Sequence, residues 1–181
     1  DDVKWESMDP PLREPMLVRG DVDAITGHYF TSILNLKAQG ISKDDLTVFK
    51  YFDYGMDFYG NALIASPDMM KDHPEELRGF LRAVVKGWRD AIADPAEAIA
   101  ALKEVDPLIS TDLEIQRLQM TIDENVVTEV TLKEGMGQIK TDRMAKAIDQ
   151  VSLAFGIEKK PSVGDLFTDI FMPGQKDRML K

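Results

Sequence analysis

Apolar positions along the first fifty residues keep changing period. Val3–Met8 alternates like a short strand, and Pro10-Pro11 then opens a helix carrying Leu12, Met16 and Leu17 at helical spacing. Gly20 stands where a helix-stopping glycine belongs. Val22–Ile25 reads as a second short strand and Gly27 as a turn, and Phe30, Ile33 and Leu34 mark a second helix ending at Gly40. Leu46–Phe52 is rich in aromatic and β-branched residues, so a third strand is expected there. Strand–helix–strand–helix–strand with short links predicts an α/β unit whose three strands run parallel in one sheet.

After Ser66 the period becomes helical. Ser66-Pro67 has the form of an N-cap followed by an N1 proline, and a second start follows at Pro74. Leu77, Phe80, Leu81, Val84, Val85, Trp88, Ala91 and Ile92 then fall on one helical face. Asp94-Pro95-Ala96-Glu97 and Thr111-Asp112-Leu113-Glu114 both read as capping boxes, and Ile115, Leu118 and Ile122 stripe the helix after Thr111. Thr141 opens a further helix, with Met144, Ala147, Ile148, Val151 and Phe155 expected to face inward and Gly156 behind it. The tail from Glu158 to Lys181, punctuated by Pro161, Gly164, Pro173 and Gly174, is expected to be an irregular strap. Between the two halves, Asp53 to Asn61 concentrates aromatic rings, two glycines and an asparagine, as a crossover between lobes would. Trp5 and Trp88 are both expected in the core.

Composition narrows the function classes. Lys plus Arg number 22 against 32 Asp plus Glu, a formal charge of −10 that opposes binding to phosphate backbones or anionic lipid. No nucleic-acid partner is expected. A 44% hydrophobic content beside 30% charged residues is that of a globular chain. No apolar run approaches the roughly 18 residues that span a bilayer. The absence of cysteine excludes disulfides, thiol catalysis and cysteine-ligated metal. His28 and His73 are the only histidines, and no HExxH, GxSxG or P-loop pattern occurs. His73 before Pro74 reads as an exposed capping residue, and Gly135-Met136-Gly137 as a turn rather than a dinucleotide loop. No catalytic residue, metal or cofactor is expected. Asp1-Asp2-Val3-Lys4-Trp5 has no initiator Met, basic region or apolar leader, as if the chain opened inside a domain.

Thr26-Gly27-His28-Tyr29-Phe30-Thr31 carries the candidate chemistry. It lies at the carboxyl end of an expected strand and the amino end of the next helix, the edge where open α/β sheets bind ligands. Two readings of His28 stand: a ligand-facing residue, or an exposed turn residue beside packing rings. Arg13 at the matching edge of the first unit meets either an anionic ligand group or solvent.

The residues also carry a resemblance. Leu12-Arg13-Glu14-Pro15-Met16-Leu17-Val18-Arg19-Gly20-Asp21-Val22-Asp23-Ala24 resembles the helix and Gly-Asp-Val-Asp-Ala strand of substrate-binding proteins of ABC importers, of the nitrate/taurine/sulfonate and thiamine-pyrimidine-precursor type. Asn35 to Gly40, Tyr59 to Ala65, Phe80 to Ala83 with Gly87-Trp88, Asp94-Pro95 and the helix from Met144 to Gly156 continue it over nearly the whole chain.

That resemblance implies a type II periplasmic-binding fold, here in part. Residues 1–53 would be the end of the second α/β lobe, 54–61 the interlobe crossover, and 62–181 the helical part packing on the first lobe. Family members are longer, so earlier βα units would precede Asp1, and the helical stripe left uncovered would favour self-association. By matching position, the ligand-binding residues would be Gly27, His28, Tyr29, Tyr54, Tyr59 and Asn61. Their rings suit a planar heterocycle such as a pyrimidine, with Asn61 and His28 as hydrogen-bonding partners. The implied protein is a non-catalytic periplasmic receptor that hands a small polar solute to an ABC permease in the membrane. Two alternatives share the fold: a pyrimidine-precursor-synthesising enzyme, whose cysteine-rich motif is absent, and the effector domain of a LysR-type regulator, whose helix-turn-helix is absent.

Overall fold

The longer helices, which close their own hydrogen bonds, form where the sequence marks them; two short ones, Glu129–Glu134 and Val163–Leu166, were not expected. The computed structural model describes residues 2–180. A 3-10 turn at Pro10–Leu12 leads into α1 (Arg13–Arg19), followed by α2 (Tyr29–Ala38). After a long loop come α3 (Pro67–Asp72), α4 (Pro74–Ala93), α5 (Pro95–Val105) and α6 (Thr111–Thr121). A π-helical turn at Ile122–Val126 extends α6, and α7 (Glu129–Glu134), α8 (Thr141–Phe155) and α9 (Val163–Leu166) complete the order.

The expected stops are present. Gly20, Gly40 and Gly156 all have positive φ, which a side chain would resist. Behind α1, the Asp21 amide donates to Met16 and the Gly20 amide to Leu17; behind α2, Ile41 donates to Leu36 and Gly40 to Lys37. These paired bonds close the last carbonyls of each helix. Ser66 Oγ accepts the Met69 amide at 3.1 Å and Asp94 Oδ1 the Glu97 amide at 2.9 Å, so both expected N-caps form. Thr111 differs. It sits inside the first turn of α6, with Ser110 at the cap position, and its hydroxyl accepts from Lys103 Nζ at 3.0 Å instead.

The three expected strands are the main correction. Among the described residues no strand ladder is present, and Val3–Met8, Val22–Ile25 and Leu46–Lys50 run as unpaired chain. Tyr51–Tyr54 forms a 3-10 turn ending at Gly55. Leu46 (φ −113°, ψ 135°) and Lys50 (φ −83°, ψ 128°) nonetheless keep extended backbone angles. The local preference for extension is therefore met without a sheet. A helix satisfies its backbone within its own ten residues, whereas a strand needs a second segment alongside it. No such segment lies beside these three, and the α/β expectation for this stretch is not realised. Trp5, expected in the core, is 79% exposed.

The core lies where α2, α4, α5 and α6 meet. Leu34 and Leu36 on α2, Val85 on α4, Ile99 on α5 and Ile122 after α6 are its buried apolar residues. Trp88 is half-buried between α4 and α5, while Phe80 from the same stripe is exposed. On α8, Met144, Ala147 and Ile148 turn inward as expected, but Val151 and Phe155 face solvent and Ser152 is buried in their place. The accessible surface is 13121 Å². A folded monomer of this length exposes roughly 8,800 Å², so apolar faces that a closed fold would cover stand open.

The tail does form a strap. Phe171 and Leu180 are buried in it, and Arg178, 7% exposed, donates to the carbonyls of Pro173 and Met136 and to Gln138. Arg89 of α4 donates to the carbonyls of Met179 and Asp177 at 2.7 Å each, tying the tail to the long helix. Replacing Arg178 by Ala strands those acceptors, and the expected loss is about 2–3 kcal/mol of unfolding free energy. A denaturant titration that leaves the midpoint unmoved shows the strap to be decorative.

Candidate functional site

The start of α2 is pinned from below. Arg13 Nη1 donates to the Thr26 carbonyl at 2.7 Å and Nε to Pro10 at 3.2 Å, so this arginine is used internally to hold the loop. Glu14, 2% exposed, accepts from Ser32 Oγ at 2.7 Å. Gly27 lies against both: a Cβ there would come 2.9 Å from Ser32 Oγ and 3.0 Å from Arg13 Nη1. Gly27 is thus required by close approach rather than by an unusual φ.

His28 occupies the N-cap position of α2, with its carbonyl accepting the Thr31 and Ser32 amides at 3.0 Å. Its ring is exposed and stacks on Phe30 at 5.4 Å. Tyr29 turns the other way. Lys50 Nζ lies 4.9 Å from the centre of its ring and Lys43 Nζ 5.7 Å. Lys50 also covers Phe52 at 5.7 Å and pairs with Glu124 at 3.4 Å. The Lys43 ammonium is held above its ordinary pKa, first by Tyr29 and then by the charges of Glu124 and Asp44.

Tyr29 heads a groove of about 530 Å³ between α2 and α6, within the range of small-molecule pockets. One wall is a single face of α2, with Tyr29, Ile33 and Lys37 at four-residue spacing. Ile41, Ser42 and Lys43 close it from the following loop. The opposite wall is mixed: Gln116, Gln119 and Met120 from α6, with Asp123 from the π turn. The extra residue of that turn rotates its side chains relative to α6, so Asp123 joins the groove while Glu124 reaches Lys50.

The crossover is gripped separately by α8. Lys140 donates its amide to Tyr59 Oη at 2.7 Å, and the Arg143 guanidinium lies 4.0 Å above the Tyr59 ring. Arg143 also donates to the carbonyls of Asp57 and Phe58 and pairs with the Asp57 carboxylate at 2.8 Å. Gln150 Nε2 donates to the Gly55 carbonyl at 3.0 Å. Tyr54 is exposed and leans on Phe49 at 6.0 Å, and Asn61 is exposed. The six residues singled out in the sequence thus fall into two groups, Gly27–Tyr29 on α2 and Tyr54–Asn61 along the crossover. No hydrogen bond or ring contact joins the two groups among the described residues. Lys43, Lys50, Asp123 and Glu124 escaped sequence reasoning, since nothing in charge spacing links Lys50 to a carboxylate 74 positions away.

Tyr29, Lys37 and Asp123 thus share one groove between α2 and α6. A match to the NMT1/THI5-like description spans residues 1–98, and the chain belongs to that family. The family has the periplasmic-binding fold. Among curated proteins, the riboflavin-binding protein RibY of Chloroflexus aurantiacus is 24% identical over 157 residues, 84% of this chain. The chain spans 43% of that relative's length. No solved structure matches the chain.

Arg143 makes the crossover's grip testable. Its replacement by Ala removes a ring contact, two donated bonds and an ion pair at once. Amide exchange at residues 57–60 is expected to accelerate about tenfold or more, equivalent to about 1.4 kcal/mol of lost local protection. Unchanged exchange there means that Lys140 and Gln150 suffice.

Proposed function

We propose that this chain is the ligand-holding part of a solute-binding protein that captures a small, planar, polar molecule and delivers it to an ABC-type permease, working in the periplasm. The single observation that carries the reading is Tyr29, an aromatic face in the wall of a groove, flanked by the ammonium groups of Lys43 and Lys50. A ring sandwiched against that face gains stacking, while fixed donors and acceptors reject analogues that leave them unpaired. A riboflavin-binding relative supports a heterocyclic ligand. Gly27 and His28 would set the entrance, and Tyr54, Tyr59 and Asn61 would meet the ligand from the crossover as the lobes close. The role is binding without turnover.

Calorimetry against riboflavin, pyrimidines, sulfonates, nitrate and aromatic acids tests this. One planar heterocycle is expected to bind, and Tyr29→Ala to weaken it about tenfold or more, the loss of roughly 1–2 kcal/mol of stacking and burial. Chemical conversion of any panel member defeats the receptor reading. The open apolar surface, including Ile64 at 95% and Leu108 at 94% exposure, leads us to propose self-association of the chain on its own as well. Sedimentation is expected to show dimers or larger species, and a compact monomer at micromolar concentration removes this part.

A further inference from the structure

We infer that the α2–α6 groove takes an aromatic ring system carrying an anionic tail, the ring against Tyr29 and the tail at Lys37. This rests on the solute-binding reading and names its ligand class. The argument starts from polarity along the groove. Tyr29 and Lys37 are eight residues apart on one face of α2, about 12 Å along the helix axis. The facing wall runs the opposite way: Lys37 Nζ meets Gln116 Oε1 at 3.4 Å, while Lys50 beside Tyr29 meets Glu124. The two ends of the groove therefore differ in charge.

At the Tyr29 end the lysines are balanced. Lys50 is paired with Glu124, Asp44 and Glu124 act on Lys43, and Asp123 stands in the wall, its carboxylate accepting from Gln119 at 2.9 Å. That end offers an aromatic face, an ammonium donor and a carboxylate acceptor, a set that suits the mixed donor and acceptor edge of a neutral heterocycle. At the other end the lining is Lys37 and the amide of Gln116. Among the described residues Lys37 has no carboxylate within ion-pair distance, in a chain whose formal charge is −10. Ile33 and Ile41 supply the apolar middle over which a linker can run. An acid or phosphate monoester at the far end would pair with Lys37 in place of the neutral Gln116 Oε1, whose Nε2 is engaged with the Asp112 carbonyl. The same group at the Tyr29 end would face Asp123 and Glu124.

The test compares riboflavin with riboflavin 5′-phosphate, whose ribityl chain is long enough to run from Tyr29 to Lys37, by calorimetry at low and physiological salt. Riboflavin 5′-phosphate is expected to bind about tenfold tighter than riboflavin at low salt, with the advantage shrinking as salt rises. Lys37→Gln is expected to abolish the advantage, read as the ratio of the two affinities measured on that same variant. Tyr29→Ala should weaken both members alike. If a parent heterocycle binds and its phosphate is no tighter, or if the advantage survives in Lys37→Gln, this inference is overturned and the solute-binding reading stands. If no member of the wider panel binds, the reading itself falls and the inference goes with it.

Discussion

The packing of α2 onto α6 is the contact on which the remaining architecture turns. Leu34 and Leu36, each 3% exposed, are buried in the amino-terminal stretch, and α2 meets the helical remainder through α6. Arg117 bridges the seam by donating to Asn35 and Glu114, while its Nη1 is buried without a partner. That orphan donor is the kind of unfavourable group that only strong surrounding packing retains. The same seam that buries Leu34 leaves Tyr29, Ile33 and Lys37 along its edge, so burial and groove come from one helix face and its neighbour.

Two fixed points organise the amino-terminal third around that seam. Arg13 and the Glu14–Ser32 bond hold the loop into α2, which orients His28 and Tyr29. Arg143, Lys140 and Gln150 of the α8 region hold residues 55–59, which orients Tyr59. Between them the chain past α2 alternates extended backbone and 3-10 turns without a ladder, with exposed rings at Phe49, Phe52 and Tyr54. Membership of a family with the periplasmic-binding fold and an accessible surface far above that of a closed monomer describe one situation. Helices of this chain are locally complete, while its extended segments and apolar faces are not.

Helical boundaries were legible because their determinants sit within four or five residues. Ser66 and Asp94 cap, Pro67, Pro74 and Pro95 begin, and Gly20, Gly40 and Gly156 stop, each by backbone geometry that a short window contains. His73 as an exposed cap beside Glu76 and the Gly135–Gly137 turn were legible for the same reason. Thr111 differs because α6 begins one residue earlier, with Ser110 at the cap position though its side chain makes no capping bond. Of the candidate site, Gly27 to Tyr29 could be singled out from their place at a helix start.

What the sequence determined alone, then, is the longer helices, most of their ends and the family, all encoded in neighbouring residues and their order; α7, α9 and the π turn after α6 carried no such mark. Tertiary structure decided whether extended segments pair, which side of α8 is buried, and which charges surround Tyr29. Strand pairing needs a second backbone at ladder distance, and Lys50 meets Glu124 only because α2, its following loop and the π turn after α6 converge. Such placements depend on residues dozens of positions apart. Local propensity cannot supply them, because the free energy that selects them is gained only when distant surfaces meet.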